Sequence, residues 1–161
     1  MGTVDAVSAT WVRFCKLSGR ERRDFFLGLL FLPIVVTWLR VSTFRSVQHA
    51  LEKWHGDALT NQRDDTGALA ESQSASRMLD AASRRGIVRG NCLSRSIALW
   101  WLLRRRGIPA HLRIGARKIG NQLEAHAWIE VAGHAINDSD DVQTRYAPFA
   151  GPVTDNMVAQ K

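Results

Sequence analysis

The sequence predicts an α+β fold, with a helical N-terminal half and a central cysteine-bearing helix packed on a small antiparallel sheet. Three observations carry that expectation. Apolar residues recur at spacings of three and four before residue 85, a run from Asn91 to Gly107 is apolar on most sides, and after Pro109 the pattern turns to strand-like alternation. At 161 residues and 45% hydrophobic content the chain supports one core and is too short for two comfortable ones. Residues 1–161 are therefore expected to form a single domain, with a helical front over about 1–85, a core over about 86–140 and a C-terminal strap over 141–161.

Residues 1–9 read as a loose tail, after which Trp11, Val12, Phe14 and Leu17 offer the first docking positions. Cys15 sits among them and is read as a buried, inert thiol, since neither a histidine nor a helix start is near enough to activate it. Ser18-Gly19-Arg20-Glu21 matches a capping box and should open a helix. The following stretch, 25–39, carries no charge, but it is shorter than the roughly 20 residues a membrane span needs, and Gly28 and Pro33 interrupt it. A buried helix that ends or kinks at Pro33 is preferred to membrane association or an uncleaved signal segment.

Phe44, Val47, Leu51 and Trp54 mark a second amphipathic helix closed by Gly56, and 56–67 reads as a polar loop rich in Asp57, Asn61, Asp64 and Asp65. A third helix over about 68–85 aligns Ala75, Met78, Leu79 and Ala82 and stops at Gly86. Leu93, Ile97, Ala98, Trp100, Trp101, Leu102 and Leu103 then make a helix apolar on most sides, so it belongs at the centre. Strands are expected over 111–118, 123–131 and 134–138, separated by turns at Gly120-Asn121 and Ala132-Gly133. Beyond Asp140, Pro148, Gly151 and Pro152 suggest a surface strap without a packed element.

The formal charge of +7 favours an acidic partner, whether acidic peptide, nucleic acid or an anionic membrane surface. The basic residues are dispersed, and Arg104-Arg105-Arg106 reads as a last helical turn facing the negative end of the helix dipole. Two cysteines cannot make a disulfide framework, and no convincing export signal precedes them, so reduced thiols in the cytoplasm are expected. Neither a Gly-x-Gly-x-x-Gly run nor a P-loop is present to argue a nucleotide. The closely spaced ligand pairs of structural zinc sites are also missing, so no metal or other cofactor is expected. His49, His55, His111 and His134 read as ordinary side chains.

Chemistry concentrates in Cys92, His126 and Asp138. Cys92 opens the apolar helix, where unpaired backbone N–H groups favour a thiolate and can hold an oxyanion. Asn91 before it reads as an N-cap whose amide can also support developing negative charge. In 123–131 the odd positions are apolar, so His126 and Trp128 share the other face, Trp128 as core or site wall. A three-residue loop, Val131-Ala132-Gly133, would set His126 opposite Asp138 and build a base with its orienter. A two-residue loop, Ala132-Gly133, would instead pair Ala127 with Asp138 and turn the carboxylate to the wrong face. The sequence leaves both registers open.

The stretch Gly90-Asn91-Cys92-Leu93-Ser94-Arg95-Ser96-Ile97-Ala98-Leu99, together with Leu112-Arg113-Ile114-Gly115, Glu124-Ala125-His126-Ala127-Trp128-Ile129-Glu130 and Asn137-Asp138, resembles the transglutaminase-like cysteine peptidase superfamily. More closely, it is similar to the leader peptidases of lasso-peptide biosynthesis. The resemblance implies a papain/transglutaminase-like fold whose catalytic core is 86–140, with Cys92 as nucleophile, His126 as base and Asp138 as orienter. It implies removal of a leader from a ribosomally made precursor, which frees the core peptide for an ATP-dependent macrocyclase. In many such systems a small leader-binding protein presents the precursor. Because residues 11–85 read as helices, that partner is expected in trans. No nucleic-acid partner is implied. Other members of the superfamily transfer the acyl group to an amine, and a non-catalytic basic scaffold is the rival from another class.

Overall fold

The structure, a computed structural model, describes residues 15–42, 46, 50 and 65–149. The expected tail, the docking residues Trp11, Val12 and Phe14, the helix through 44–54 apart from Ser46 and Ala50, which are helical, the loop up to 64, His49, His55, Gly151 and Pro152 lie outside them. Helix α1 (Gly19–Val41) begins at the capping box: Ser18 Oγ accepts from the Glu21 N–H at 3.2 Å, and Glu21 Oε2 accepts from the Ser18 N–H at 2.8 Å. Contrary to expectation, α1 runs through Pro33. A proline removes one donor, and here Phe25, Gly28, Leu32 and Val35 are buried on both sides of the break, so packing holds the helix together. Nor is α1 buried all round. Phe26, Leu30 and Ile34 stay exposed, because one face meets the other helices while apolar residues occupy every face. By length and composition alone it is long and apolar enough to cross a membrane.

Helix α2 (Asp65–Arg85) starts earlier than expected, with Asp65 at the positive end of its dipole. Its buried face is built of small residues, among them Ala68, Ser72, Ala75, Ser76 and Ala82, so α1 approaches closely. A Cβ added at Gly28 would come within 2.8 Å of the Ala82 Cβ. Arg20 pairs with Glu71 at 3.0 Å near the start of both helices, and Gly28 meets Leu79 and Ala82 further along, so the two run parallel. Helix α3 (Cys92–Arg104) runs antiparallel to them: Arg95 pairs with Asp80 at 2.9 Å, Phe31 stacks on Trp101 at 4.2 Å, and Arg106, just past its end, binds Asp24 and Glu71. Arg106 thus does more than face a dipole. It neutralises the buried Asp24 carboxylate. At Gly107 (φ +69°) the chain turns left-handed, and Gly107 and Ile108 donate to the carbonyls of Arg104 and Leu103, the pattern of a Schellman stop.

The sheet comprises β1 (His111–Ile119), β2 (Gln122–Val131), β3 (His134–Ala135) and β4 (Ala147–Pro148), in the order β3-β2-β1-β4, and every pair is antiparallel. Leu112, Ile129, Val131 and Ile136 face α3 and join Ile97, Leu99, Trp100 and Leu103 in the main core. The opposite face carries a second cluster of Trp128, Ala135, Val142 and Tyr146. This corrects the expected strap over 142–148, since α4 (Val142–Arg145) buries Val142 and β4 pairs with β1, while 150–161 lie outside the described residues. Val142 and Tyr146, one helical turn apart, cover the Trp128 ring. The proline and glycine signal around them conceals that spacing. A Cβ at Gly115 on β1 would sit 3.0 Å from the Trp128 ring, so the bare backbone there seats the indole. The chain is therefore a helical front and a central cysteine-bearing helix on a small antiparallel sheet, as the sequence predicts.

Candidate active site

Hairpin β2–β3 decides where Asp138 goes. Val131 pairs with His134 and Glu130 with Ala135, so the loop is the two-residue Ala132-Gly133, with φ of 48° and 80° as a type I′ turn requires. In an unbroken ladder this register places Asp138 opposite Ala127. The three-residue register is not adopted, yet His126 Nε2 lies 2.5 Å from Asp138 Oδ2. The expected dependence of the pair on register was wrong, because the chain leaves the ladder after Ile136. The Ile136 N–H still donates to the Ile129 carbonyl at 2.9 Å. The Ile129 N–H, which would return that bond in a continuing ladder, goes to Asn137 Oδ1 at 2.8 Å instead. Freed from strand geometry, Asp138 swings back to the imidazole.

The gap left by β3 is filled by α3. Ser96 Oγ donates to the Ala127 carbonyl at 3.0 Å and accepts from Asn137 Nδ2 at 2.9 Å. One network therefore ties the cysteine helix, the histidine strand and the aspartate loop, and its residues are largely buried. Cys92 lies one turn before Ser96 on the same helical face, and its thiol is half-buried. No hydrogen bond joins Cys92 to His126 in this structure. The expected N-cap is present: Asn91 Oδ1 accepts from the Ser94 N–H at 2.9 Å, and the Arg95 N–H takes the Asn91 carbonyl. Those bonds leave the Cys92 and Leu93 N–H groups as the helix's remaining first-turn donors.

Asp138 is held on both oxygens. Its Oδ1 accepts from the Ser139 N–H at 2.7 Å and from Arg145 Nη2 at 2.5 Å, while Oδ2 meets His126. Burial pushes the carboxyl up, but the Ser139 N–H, His126 and Arg145 together outweigh it and hold it below the usual aspartate range. The His126 ring stacks against Tyr146 with centroids 4.9 Å apart and lies 6.3 Å from Trp128. Tyr146 is fixed in turn, since its hydroxyl donates to Glu124 at 3.0 Å and Arg117 lies 4.6 Å above its ring. Trp128 is fully buried with Nε1 donating to Glu130 at 3.0 Å, so it serves as core and as a wall behind the histidine. Beside Asp138 a cleft of about 450 Å³ opens between α2 and residues 135–140, lined by Ser76, Arg77, Asp80, Asn137 and Asp140 among others.

Sequence reasoning missed Ser96, Asn137, Arg145 and Tyr146 as supporting residues. Asn137 carried the one usable signal, a turn-forming residue ending a strand pattern and directly preceding the aspartate. Cys15 is also corrected, since it is exposed. It precedes the cap of α1, and its carbonyl accepts from Arg22 Nη2 at 2.6 Å. Among the described residues, no three His, Cys, Asp or Glu side chains gather as a metal site requires.

Compared with known proteins, residues 28–150 match the family described as the transglutaminase-like superfamily. A stretch of 64 residues, 40% of this chain, is 38% identical to the microcin J25-processing protein McjB of Escherichia coli, and it spans 30% of that protein's length. No solved structure matches the chain.

Proposed function

This chain belongs to the transglutaminase-like superfamily, and from that premise we propose that it is a cysteine peptidase that removes the leader from a ribosomally made lasso-peptide precursor. The likeness to a microcin-processing protein supports a processing role. The observation that carries the chemistry is the His126–Asp138 bond at 2.5 Å, because it uses Nε2 and leaves Nδ1 as the nitrogen available to a thiol. In this reading His126 Nδ1 takes the Cys92 proton and the thiolate attacks the scissile carbonyl. The first-turn N–H of Cys92 holds the oxyanion, with the Asn91 amide as a second support. Collapse gives a thioester as the imidazolium protonates the leaving amine. Water, deprotonated by the same imidazole, then releases the leader acid. Asp138 fixes the ring and stabilises its cation throughout. Nucleophile–base contacts are often long in substrate-free enzymes and tighten in the complex, so the missing Cys92–His126 bond is compatible with this order of events.

The cleft beside Asp138 receives the peptide on one side of the cut, and a separate leader-binding protein and an ATP-dependent macrocyclase act as partners. The test is mass spectrometry of the precursor after incubation with the protein and that leader-binding partner. Cys92→Ala and His126→Ala abolish leader removal while circular dichroism stays native, and added hydroxylamine or a small amine does not become the main acceptor. Full cleavage by folded Cys92→Ala rejects the peptidase. Predominant amide formation makes the protein an acyltransferase instead.

A further inference from the structure

At the end of α3 remote from Cys92, α1 and α3 enclose a cavity of about 230 Å³ whose lining includes Arg20, Arg23, Leu27, Trp101, Arg105 and Arg106. Two carboxylates answer these four guanidiniums: Asp24 takes Arg106, and Glu71 takes Arg20 at 3.0 Å and Arg106 at 3.4 Å. Among the described residues, Arg23 and Arg105 meet no carboxylate. Arg105 is nonetheless held in place, its guanidinium 4.9 Å from the centre of the Trp101 ring, which in turn stacks on Phe31. Arg20 and Arg23 also stand in the opening residues of α1, at the positive end of its dipole, where cations are locally unfavourable. Sequences break such local rules chiefly where function requires it.

We propose that this pocket is an exosite for a short acidic peptide segment. Arg23 and Arg105 grip side-chain carboxylates in the bidentate manner of guanidinium–carboxylate pairs, and Leu27 and Trp101 receive a neighbouring apolar side chain. The proposal rests on the peptidase reading in one respect: the segment it assigns is an acidic stretch of the precursor's leader. A nucleic acid fits less well, since tracking phosphates calls for a stripe of cations and these converge on one small cavity. The pocket and Cys92 lie at opposite ends of a 13-residue helix, a separation of about 20 Å at 1.5 Å per residue. An extended peptide covers about 3.3 Å per residue, so at least about six residues separate the anchoring acid from the bond to be cut.

The experiment uses the full chain carrying Cys92→Ala, so binding is read whether or not Cys92 is a nucleophile. Fluorescence anisotropy is recorded with a dye-labelled peptide of alternating glutamate and leucine and with its glutamine counterpart. The glutamate peptide binds, Arg23→Glu with Arg105→Glu weakens it at least tenfold, and the glutamine peptide binds no better to wild type than to the variant. Equal affinity for the two peptides, or no loss on charge reversal, overturns the proposal. So does displacement by inorganic phosphate at the peptide's own concentration, which makes the cavity a phosphate site. In the thiol-bearing protein the same double variant raises KM for the precursor and leaves kcat unchanged. An enzyme that cuts nothing while the peptide still binds contradicts the peptidase and leaves the exosite standing.

Discussion

Asn137→Ala tests how the broken ladder positions the site. The amide makes two bonds, accepting from the Ile129 N–H at 2.8 Å and donating to Ser96 Oγ at 2.9 Å. Ile129 is fully buried, so its N–H loses its partner with no water to replace it. An orphaned buried donor costs about 1–3 kcal/mol and a lost hydrogen bond about 0.5–1.5 kcal/mol, giving roughly 2–4 kcal/mol for the substitution. That is a large share of the roughly 5–15 kcal/mol that stabilises a typical domain. At about 2–4 °C per kcal/mol for a chain of this size, the melting temperature falls by roughly 5–15 °C. Asp138 is the next residue, and a misplacement of about 1 Å of a catalytic group costs about a hundredfold in rate. In time-resolved mass spectrometry of leader removal, that loss falls on kcat while KM holds. Ser96→Ala removes the other end of the network, and the two substitutions combine non-additively in a double-mutant cycle. If Asn137→Ala melts and turns over like wild type, or the cycle is additive, the network does not position the site.

Other expectations follow from single contacts. The Asp138 carboxyl is depressed in the folded protein, so its contribution to stability is complete above the unfolded value of about 3.9 and disappears as pH falls through the lower folded value. Urea midpoints of wild type and Asp138→Asn therefore differ most near neutrality and converge in acid, whereas a constant gap contradicts the assignment. Ser18→Ala breaks the capping box of α1 and lowers unfolding free energy by about 1 kcal/mol in urea titrations, without changing kcat. Gly115→Val drives side-chain atoms into the Trp128 ring. It costs about 1–3 kcal/mol as an overpacked core does, visible as a lower melting temperature and altered tryptophan fluorescence.

Periodicity made α2, α3, β1 and β2 legible, because each buries one face or is buried on most sides, and Ser18 and Asn91 announced their caps through the residues that follow them. The His126–Asp138 pair was legible as residue types and failed as geometry. Reading 134–138 as a continuous strand made the His126–Asp138 pair depend on hairpin register. The protein instead adopts the other register and breaks the strand, with Asn137 and Ser96 supplying from side chains the bonds the ladder loses. Such exchange of backbone for side-chain partners leaves no periodic trace. Tyr146 and Arg145 were hidden for a related reason: they act through one turn of helix, too short for a period, and the partners of Tyr146 lie far back in sequence at Glu124 and His126. Cys15 was misread because its apolar neighbours in sequence suggested a core, while its own side chain is exposed.

The central claim is that the His126 imidazole acts on the Cys92 sulfur. It is tested most directly by iodoacetamide alkylation of Cys92, followed by peptide mass spectrometry in Cys15→Ala protein so that the exposed second thiol does not intrude. At pH 7, His126→Ala slows that alkylation by about tenfold or more, since the thiolate is the reacting species and a neighbouring imidazole promotes it. Equal rates with and without the imidazole, in proteins of unchanged fold, contradict the account.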